Sequence, residues 1–258
     1  MKLGVLGAGR MGREIVAQIA AAADCELAGL WIRESRTGTD GALGALAGGK
    51  LGSDLDELAR RSDVLLDFTL PGPTAAIALA AARHEARLVC GVSGLDTTAT
   101  DALQAAAGSI AVLYDRNISV GVAVLRELTA IAGAALDTSF ACEIHETHHV
   151  HKLDAPSGTA LKLGEALAAS RGRTLQELRR DEHEAARPGD IRFVVRREGD
   201  VPGEHTVRFA GRNETLLLHH AVSDRGVFAE GAISAARWLA GRPPGLYSMR
   251  DVVRVRAE

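Results

Sequence analysis

A strand, a glycine-rich turn and a helix open the chain, and this opening constrains the fold more than any other feature. Residues 2–6 form an apolar run that ends in Gly7-Ala8-Gly9-Arg10-Met11-Gly12. This is G-x-G-x-x-G in the context where it carries weight, after a strand and before a helix. The following helix is predicted to turn Met11, Ile15, Val16, Ile19, Ala20 and Ala23 inward. The glycines allow a tight turn and a close approach of backbone to a pyrophosphate at the helix N-terminus. Strands predicted at 25–32, 64–68, 88–92 and 110–114 then alternate with helices at 54–61, 74–84 and 97–107. Such alternation implies a doubly wound parallel sheet, with ligands gathered at the carboxyl ends of its strands. The Gly7 turn, Phe68-Thr69, Gly91-Val92-Ser93 and Asp115-Arg116-Asn117 all fall there. Residues 37–53 are rich in Gly and Ala and read as a loop.

The second strand ends Leu30-Trp31-Ile32-Arg33-Glu34, with Arg36 nearby. An acidic residue at the end of this strand would bind the ribose hydroxyls of NAD. Ile32 occupies that place, and Arg33 after it suits a 2′-phosphate. NADPH is therefore the expected cofactor in preference to NADH, unless the Glu34 carboxylate reaches the ribose.

A long apolar helix at 119–136 leads out of the first domain, and the pattern then changes. Residues 140–150, 191–197, 205–209 and 214–221 are strand-like, with only two helical segments between them. This is an α+β arrangement with a mixed or antiparallel sheet. Residues 171–190 are rich in charge and read as an exposed helix and loop. Residues 226–239 return to helix, and 249–255 read as a last strand.

Composition excludes several classes. The 258 residues are enough for a sizeable core. A formal net charge of −3 offers no basic field for nucleic acid. No apolar run reaches membrane-spanning length. The N-terminus enters a strand directly, without the layout of a signal peptide. Cys25, Cys90 and Cys142 are odd in number and widely spaced, which suits reduced thiols in a cytoplasmic protein.

Residues 143–160, EIHETHHVHKLDAPSGTA, hold four of the nine histidines, then Lys152 and a Pro156-Ser157-Gly158-Thr159 turn. Crowded cationic groups charge readily only around an anion. The bland alternative is a solvated, His-rich strand end. His145-Glu146-Thr147-His148-His149 also fits the H-E-x-x-H zinc pattern, which needs a helix. The alternation of Phe140, Cys142 and Ile144 with Ala141, Glu143 and His145 argues for a strand. Residues four apart on a strand are roughly 13 Å from each other, too far to share a zinc ion. No metal set is expected. Ser157 or Thr159 can cap the helix that follows, and a helix start with open N–H groups suits a carboxylate or phosphate.

These motifs resemble the dihydrodipicolinate reductase family across nearly the whole chain. GAGRMG, DFT, GVSG, NISVGV, EIHETHHVHKLDAPSGTA, GEHTVRF, SDRGVFAEGA and GLYSMRDV occur in the family's order. The family commonly has one more residue in its glycine turn, and G-T-T-G where this chain has GVSG. The resemblance implies an α/β protein with a Rossmann-like dinucleotide-binding domain at 1–117 and 228–258. It implies an α+β domain at 118–227 that binds substrate and builds a homotetramer through its mixed sheet. The implied activity is NAD(P)H-dependent reduction of 4-hydroxy-tetrahydrodipicolinate, a small dicarboxylate of the diaminopimelate and lysine pathway. His148 is implied as proton donor and Lys152 as its assistant. His149, Gly158, Thr159 and Arg225 would hold substrate. Gly7, Ala8, Gly9, Arg10, Met11, Gly12, Arg33, Gly91, Val92, Ser93, Asp115, Arg116, Asn117 and Ile118 would hold the cofactor. Two other classes stay open: another NAD(P)-dependent dehydrogenase on this fold, and a non-catalytic dinucleotide sensor.

Overall fold

The computed structural model describes residues 1–33, 41–180 and 187–253. Glu34 and Arg36 lie outside the described residues. The chain divides into two compact units. One comprises Met1–Ser119 with Gly226–Val252, and the other Val120–Arg225 with Val253.

The first unit is built on a parallel sheet. Its strands are β1 (Lys2–Leu6), β2 (Glu26–Trp31), β3 (Leu51–Gly52), β4 (Val64–Asp67), β5 (Arg87–Cys90), β6 (Ala111–Tyr114) and β12 (Gly245–Tyr247), in the order β12-β6-β5-β4-β1-β2-β3. Every pairing is parallel. The strands are short and nearly all buried because helices cover both faces of such a sheet. The helices here are α1 (Arg10–Ala21), α2 (Gly41–Leu46), α3 (Leu55–Arg61), α4 (Thr74–Arg83), α5 (Thr97–Ala106), α9 (Gly226–Leu239) and α10 (Met249–Val253). The carboxyl ends of β6, β5, β4 and β1, four neighbours in the sheet, align four loops along one edge.

The second unit holds α6 (Val120–Ala135), β7 (Ala141–His148), α7 (Gly158–Ser170), α8 (Leu175–Leu178), β8 (Arg179–Arg180), β9 (Ile191–Arg197), β10 (Gly203–Ala210) and β11 (Thr215–Val222). Its sheet runs β11-β10-β7-β9-β8, with β10 antiparallel to both neighbours and β7 parallel to β9. It is mixed, and β7 is central. Cys142, Ile144, Val207 and Phe209 pack with Leu163, Leu167 and Ala168 of α7 in one apolar core.

Three expectations need correction. Ala20 and Ala23 are exposed, so the buried stripe of α1 is Gly12, Ile15, Val16 and Ile19. A stripe this narrow suffices because one face of the helix meets the sheet. Within 37–53, α2 and β3 replace loop, and β3 pairs with β2 at the sheet edge. Of the strand expected at 249–255, Met249–Val253 is helix, with a strand just before it, and 254–255 lie outside the described residues. The Ser248 N–H and hydroxyl both donate to the Asp251 carboxylate, at 2.8 and 2.9 Å. That is a helix-start signature, and it outweighs the β-branched Val252 and Val253.

Two of the three glycines of the turn admit nothing larger. Gly7 has φ +96°, and a Cβ there would lie 2.9 Å from the Phe68 carbonyl oxygen. A Cβ on Gly12 would lie only 1.7 Å from the Gly7 carbonyl oxygen. A Cβ on Gly9 would meet nothing within 4 Å. Gly12→Ala should therefore lower the unfolding free energy by about 1–3 kcal/mol, the usual cost of overpacking. Gly9→Ala should stay within about 0.5 kcal/mol of wild type. Urea unfolding of both variants checks the contrast, and equal losses would refute it.

Candidate active site

In the first unit, the four aligned loops carry the residues expected to hold a dinucleotide. Gly9 is the N-cap of α1, no side chain caps that helix, and its first turn holds no acidic residue. The partial positive charge at this helix end is left for an anion. The open space at Gly9 is the approach a pyrophosphate needs, so these residues fit the group. Ala8 and Gly12 are buried, whereas Arg10 is exposed.

Asp67 braces the neighbouring loop. Its carboxylate accepts from the Thr69 N–H (3.0 Å), the Thr69 hydroxyl (2.7 Å) and the Thr74 hydroxyl (3.0 Å). Burial pushes its pKa up, against the effect of these donors. Gly91, Val92 and Ser93 follow β5, and Asp115, Arg116, Asn117 and Ile118 follow β6. The loop after β6 is locked by its own side chains: the Asn117 N–H donates to Asp115 (3.4 Å), and the Ser119 N–H to Asn117 (3.0 Å). At the end of β2, Ile32 is 3% exposed and packs inward, while Arg33 is exposed. The end of β2 therefore presents a buried apolar side chain followed by an exposed cation.

In the second unit, β7 distributes its polar residues by parity, as a strand must. Glu143 and His145 share one face. Glu143 pairs with His145 (3.1 Å), with Arg208 of β10 (3.2 Å) and with Arg192 of β9. Glu146 and His148 point to the other face, beside α7. The H-E-x-x-H pattern is thus split between two faces of a sheet.

Glu146 is the centre of the buried face, with a side chain 0% exposed. It accepts from the Ser157 N–H at 2.9 Å, and its other oxygen lies 3.2 Å from Nδ1 of His148. The Arg197 guanidinium approaches to 3.4 Å and Nε2 of His205 to 3.8 Å. Burial pushes the Glu146 pKa up, but the bonds from His148 and Ser157 outweigh it and hold the group at about 2. His205 is buried, edge-on to His148 with ring centroids 5.1 Å apart. Burial first, then the neighbouring His148, bring its pKa down to about 3, with Glu146 opposing. Glu146, His148 and His205 bring ligand atoms within 4.8 Å of one another, a spacing a metal ion could bridge. Arg197 already supplies positive charge to this carboxylate.

The loop from His149 to Ser157 is tied down by the same arginine. Nε of Arg197 donates to the Lys152 carbonyl (3.2 Å), and a terminal nitrogen donates to the Asp154 carbonyl (2.5 Å). Lys152 extends its ammonium to Asp154 at 2.8 Å. Ser157 caps α7, its hydroxyl oxygen accepting from the Ala160 N–H at 3.1 Å. The first turn of α7 holds no acidic residue, and a Cβ on Gly158 would meet nothing within 4 Å. Thr159 follows, half-buried. Partial burial, then the charge of Arg225, then the adjoining His148, His151 and Lys152 lower the His149 pKa. Arg225 thus belongs to the field around His149.

The structure therefore gathers His148, His149, Lys152, Gly158, Thr159 and Arg225 in one unit and the glycine turn with its partner loops in the other. Sequence reasoning missed Glu146, Arg197 and His205 as parts of this constellation. The available signal was strand parity: Glu146 shares a face with His148 and pairs in register with His205.

Chain-wide comparisons agree with this arrangement. The family models "Dihydrodipicolinate reductase, N-terminus" and "Dihydrodipicolinate reductase, C-terminus" match residues 1–118 and 121–253. A 4-hydroxy-tetrahydrodipicolinate reductase of Burkholderia mallei is 41% identical, with 99% of each chain covered. That of Burkholderia pseudomallei is 40% identical, over 99% of this chain and all of its own. Among solved structures, a dipicolinate-bound dihydrodipicolinate reductase from Paenisporosarcina sp. TG-14 superposes with a TM-score of 0.76 at 20% identity, covering 96% of this chain and 97% of its own. The C. glutamicum DAP dehydrogenase in complex with DAP superposes at 0.56 and 13% identity, covering 100% of this chain and 96% of its own.

His205 gives a pH dependence of stability. Its folded pKa, about 3, lies below its ordinary 6.5. Below pH 6.5 the unfolded chain therefore takes up a proton that the folded chain refuses. The contribution is complete above 6.5 and is lost as pH falls toward 3. Glu146 acts only below its ordinary 4.5, so pH 6.5 to 4.5 separates the histidine from the carboxylate, and comparison with a His205 variant removes the like-signed contributions of His149 and His220. Over that range wild type should lose up to about 1.4 kcal/mol per pH unit from this group. Urea unfolding of His205→Gln should show a correspondingly shallower decline, and an unchanged slope would count against the burial of a neutral ring.

Proposed function

The chain belongs to the dihydrodipicolinate reductase family, and on that premise we propose that it reduces 4-hydroxy-tetrahydrodipicolinate to tetrahydrodipicolinate, with NADPH preferred over NADH and His148 as proton donor. It is an NAD(P)H-dependent oxidoreductase of diaminopimelate and lysine biosynthesis. One observation carries the reading of the site. Within fourteen residues, 146–159, the chain supplies an imidazole backed by a buried carboxylate, an ammonium and an open helix N-terminus. A cyclic imine with two carboxylates asks for that combination.

When bound, the reduced nicotinamide supplies hydride to a ring carbon of the substrate. The residues of this chain do the rest. His148 delivers a proton to the neighbouring carbon, after the 4-hydroxyl has left as water before or during reduction. A positioned imidazole is a competent acid near neutral pH. Lys152 assists the transfer and neutralises a substrate carboxylate, which would replace Asp154 as partner of the ammonium. Gly158 and Thr159 at the start of α7 hold a carboxylate, with His149 and Arg225 beside them. Gly7, Ala8, Gly9, Arg10, Met11 and Gly12 cradle the pyrophosphate. Arg33 meets the adenosine end, and the loops at 91–93 and 115–118 border the nicotinamide.

In this reading the unit with the parallel sheet binds the dinucleotide, and the unit with the mixed sheet binds substrate and assembles a homotetramer. The exposed Leu217 of β11, 58% exposed on the sheet face opposite α7, supports a covered sheet in the assembly. The dipicolinate-bound relative supports a small dicarboxylate as substrate.

The direct test is oxidation of NADPH and NADH with freshly generated 4-hydroxy-tetrahydrodipicolinate. His148→Gln should lower kcat by roughly 10²- to 10⁴-fold, the usual worth of a positioned acid. Its cofactor Kd should hold, because the residue belongs to the other unit. Turnover near wild type would remove His148 from the role. For the cofactor, a guanidinium–phosphate contact is worth about 1.5–3 kcal/mol, or roughly 10- to 100-fold in kcat/KM, with exposure favouring the lower end. Wild type should favour NADPH by that ratio, and Arg33→Ala should reduce it. Equal use of both cofactors by wild type would refute the preference.

A further inference from the structure

The reaction scheme above leaves the most buried charge of the site without a task. We propose that Glu146 is a positioning residue: its carboxylate fixes the ring orientation and the Nδ1–H tautomer of His148, and through Arg197 it ties that ring to the loop carrying Lys152. The inference rests on the reading of His148 as proton donor.

The geometry has four parts. First, an ionised carboxylate only accepts hydrogen bonds. Oε2 lies 3.2 Å from Nδ1, in ion-pair contact and not aligned as a hydrogen bond, and its charge favours the tautomer with a proton on that nitrogen. Nε2 is then the nitrogen that exchanges a proton with substrate. Its N–H bond breaks as the substrate C–H bond forms, the electron pair stays on Nε2, and the neutral ring left behind is the tautomer Glu146 favours.

Second, Nε2 is left uncovered by a missing side chain. A Cβ on Gly203 would lie 3.1 Å from it, and Gly203 has φ +156°. Third, the ring cannot swing. His205 packs edge-on against it at an interplanar angle of 76°, and the His148 carbonyl accepts from the Glu198 N–H at 2.8 Å. Fourth, Glu146 itself is immobile. Its Oε1 takes the Ser157 N–H and the Arg197 guanidinium, whose other bonds go to the carbonyls of Lys152 and Asp154. Ring, loop and helix start are thus referred to one carboxylate. A carboxylate that orients a working histidine in this way is a general device, and its loss commonly costs 10- to 100-fold.

A purely structural Glu146 would also lower stability when removed, so the test separates the two. Glu146→Gln is nearly isosteric and can keep its oxygen toward Ser157 and Arg197, but its NH2 then faces Nδ1 and, as a donor, no longer favours a proton there. Its kcat should fall by roughly 10- to 100-fold with KM little changed. Glu146→Asp, which keeps the charge, should recover part of the loss. The direct signature is the ¹⁵N resonance pattern of the His148 ring at alkaline pH, assigned by its disappearance in His148→Gln. Wild type should show Nδ1–H, and Glu146→Gln a mixture or Nε2–H. Three results would overturn the proposal: wild-type kcat in Glu146→Gln, an Nε2–H ring in wild type, or an unchanged tautomer in Glu146→Gln. Failure of the proton-donor reading shows separately, as full turnover by His148→Gln, and the ring spectra still decide what Glu146 does.

Discussion

An ionised carboxylate with no exposed surface is expensive to bury, and the mixed-sheet unit is arranged around making one acceptable. Desolvation of such a group costs several kcal/mol unless hydrogen bonds and opposite charge offset it. Glu146 draws these from Ser157 at the start of α7, His148 on its own strand and Arg197 on β9, and the neutral His205 ring of β10 packs beside it at 3.8 Å. Each partner belongs to a different stretch of chain, so satisfying one charge fixes the register of two strands and the entry of a helix. A hydrophobic residue at this position could fill the space at less cost. The charge is better understood as serving the imidazole beside it than as a source of stability.

The parallel-sheet unit solves a different problem by different means. It must bring backbone close to an anion, and it does so by removing side chains. Gly7 and Gly12 let the turn close on itself and on Phe68, and Gly9 leaves open space above the helix end. Where a side chain is used, as with Asp67 and Asn117, it bonds to nearby backbone and stiffens a loop. Backbone dipoles recognise a feature shared by all dinucleotides. Beyond the turn, the end of β2 carries an inward Ile32 and an exposed Arg33.

The first unit was legible in the sequence because its signals are local. Each strand is a short apolar run closed by a turn residue, and alternation with helices dictates the parallel order. The segment near the chain end misled for the same reason: Val252, Val253 and Val255 suggest a strand when read by propensity, whereas Ser248 and Asp251 start a helix. The second unit was legible along β7 and α7, again from alternation and a capping serine. Arg197 and His205 were not, because their importance comes from cross-strand register, and sequence spacing does not reveal which strands are neighbours.

Strand parity also accounts for the resemblance of this segment to a zinc-protease helix. On a helix, His145 and His149 would share a face and Glu146 would stand beside them. On β7, the period of two sends His145 to one side with Glu143, and Glu146 to the other with His148. The same letters therefore yield an ion-pair network of Glu143, Arg192 and Arg208 on one face and an acid–carboxylate pair on the other. The strand ends at His148, so His149 and Lys152 fall on the loop after it, held by the Val150 N–H on the Gly199 carbonyl and by the bonds of Arg197 to the Lys152 and Asp154 carbonyls. The rigid strand thus ends in an imidazole with a buried carboxylate behind it, and the ammonium of Lys152 follows on a loop braced by the same arginine that meets that carboxylate.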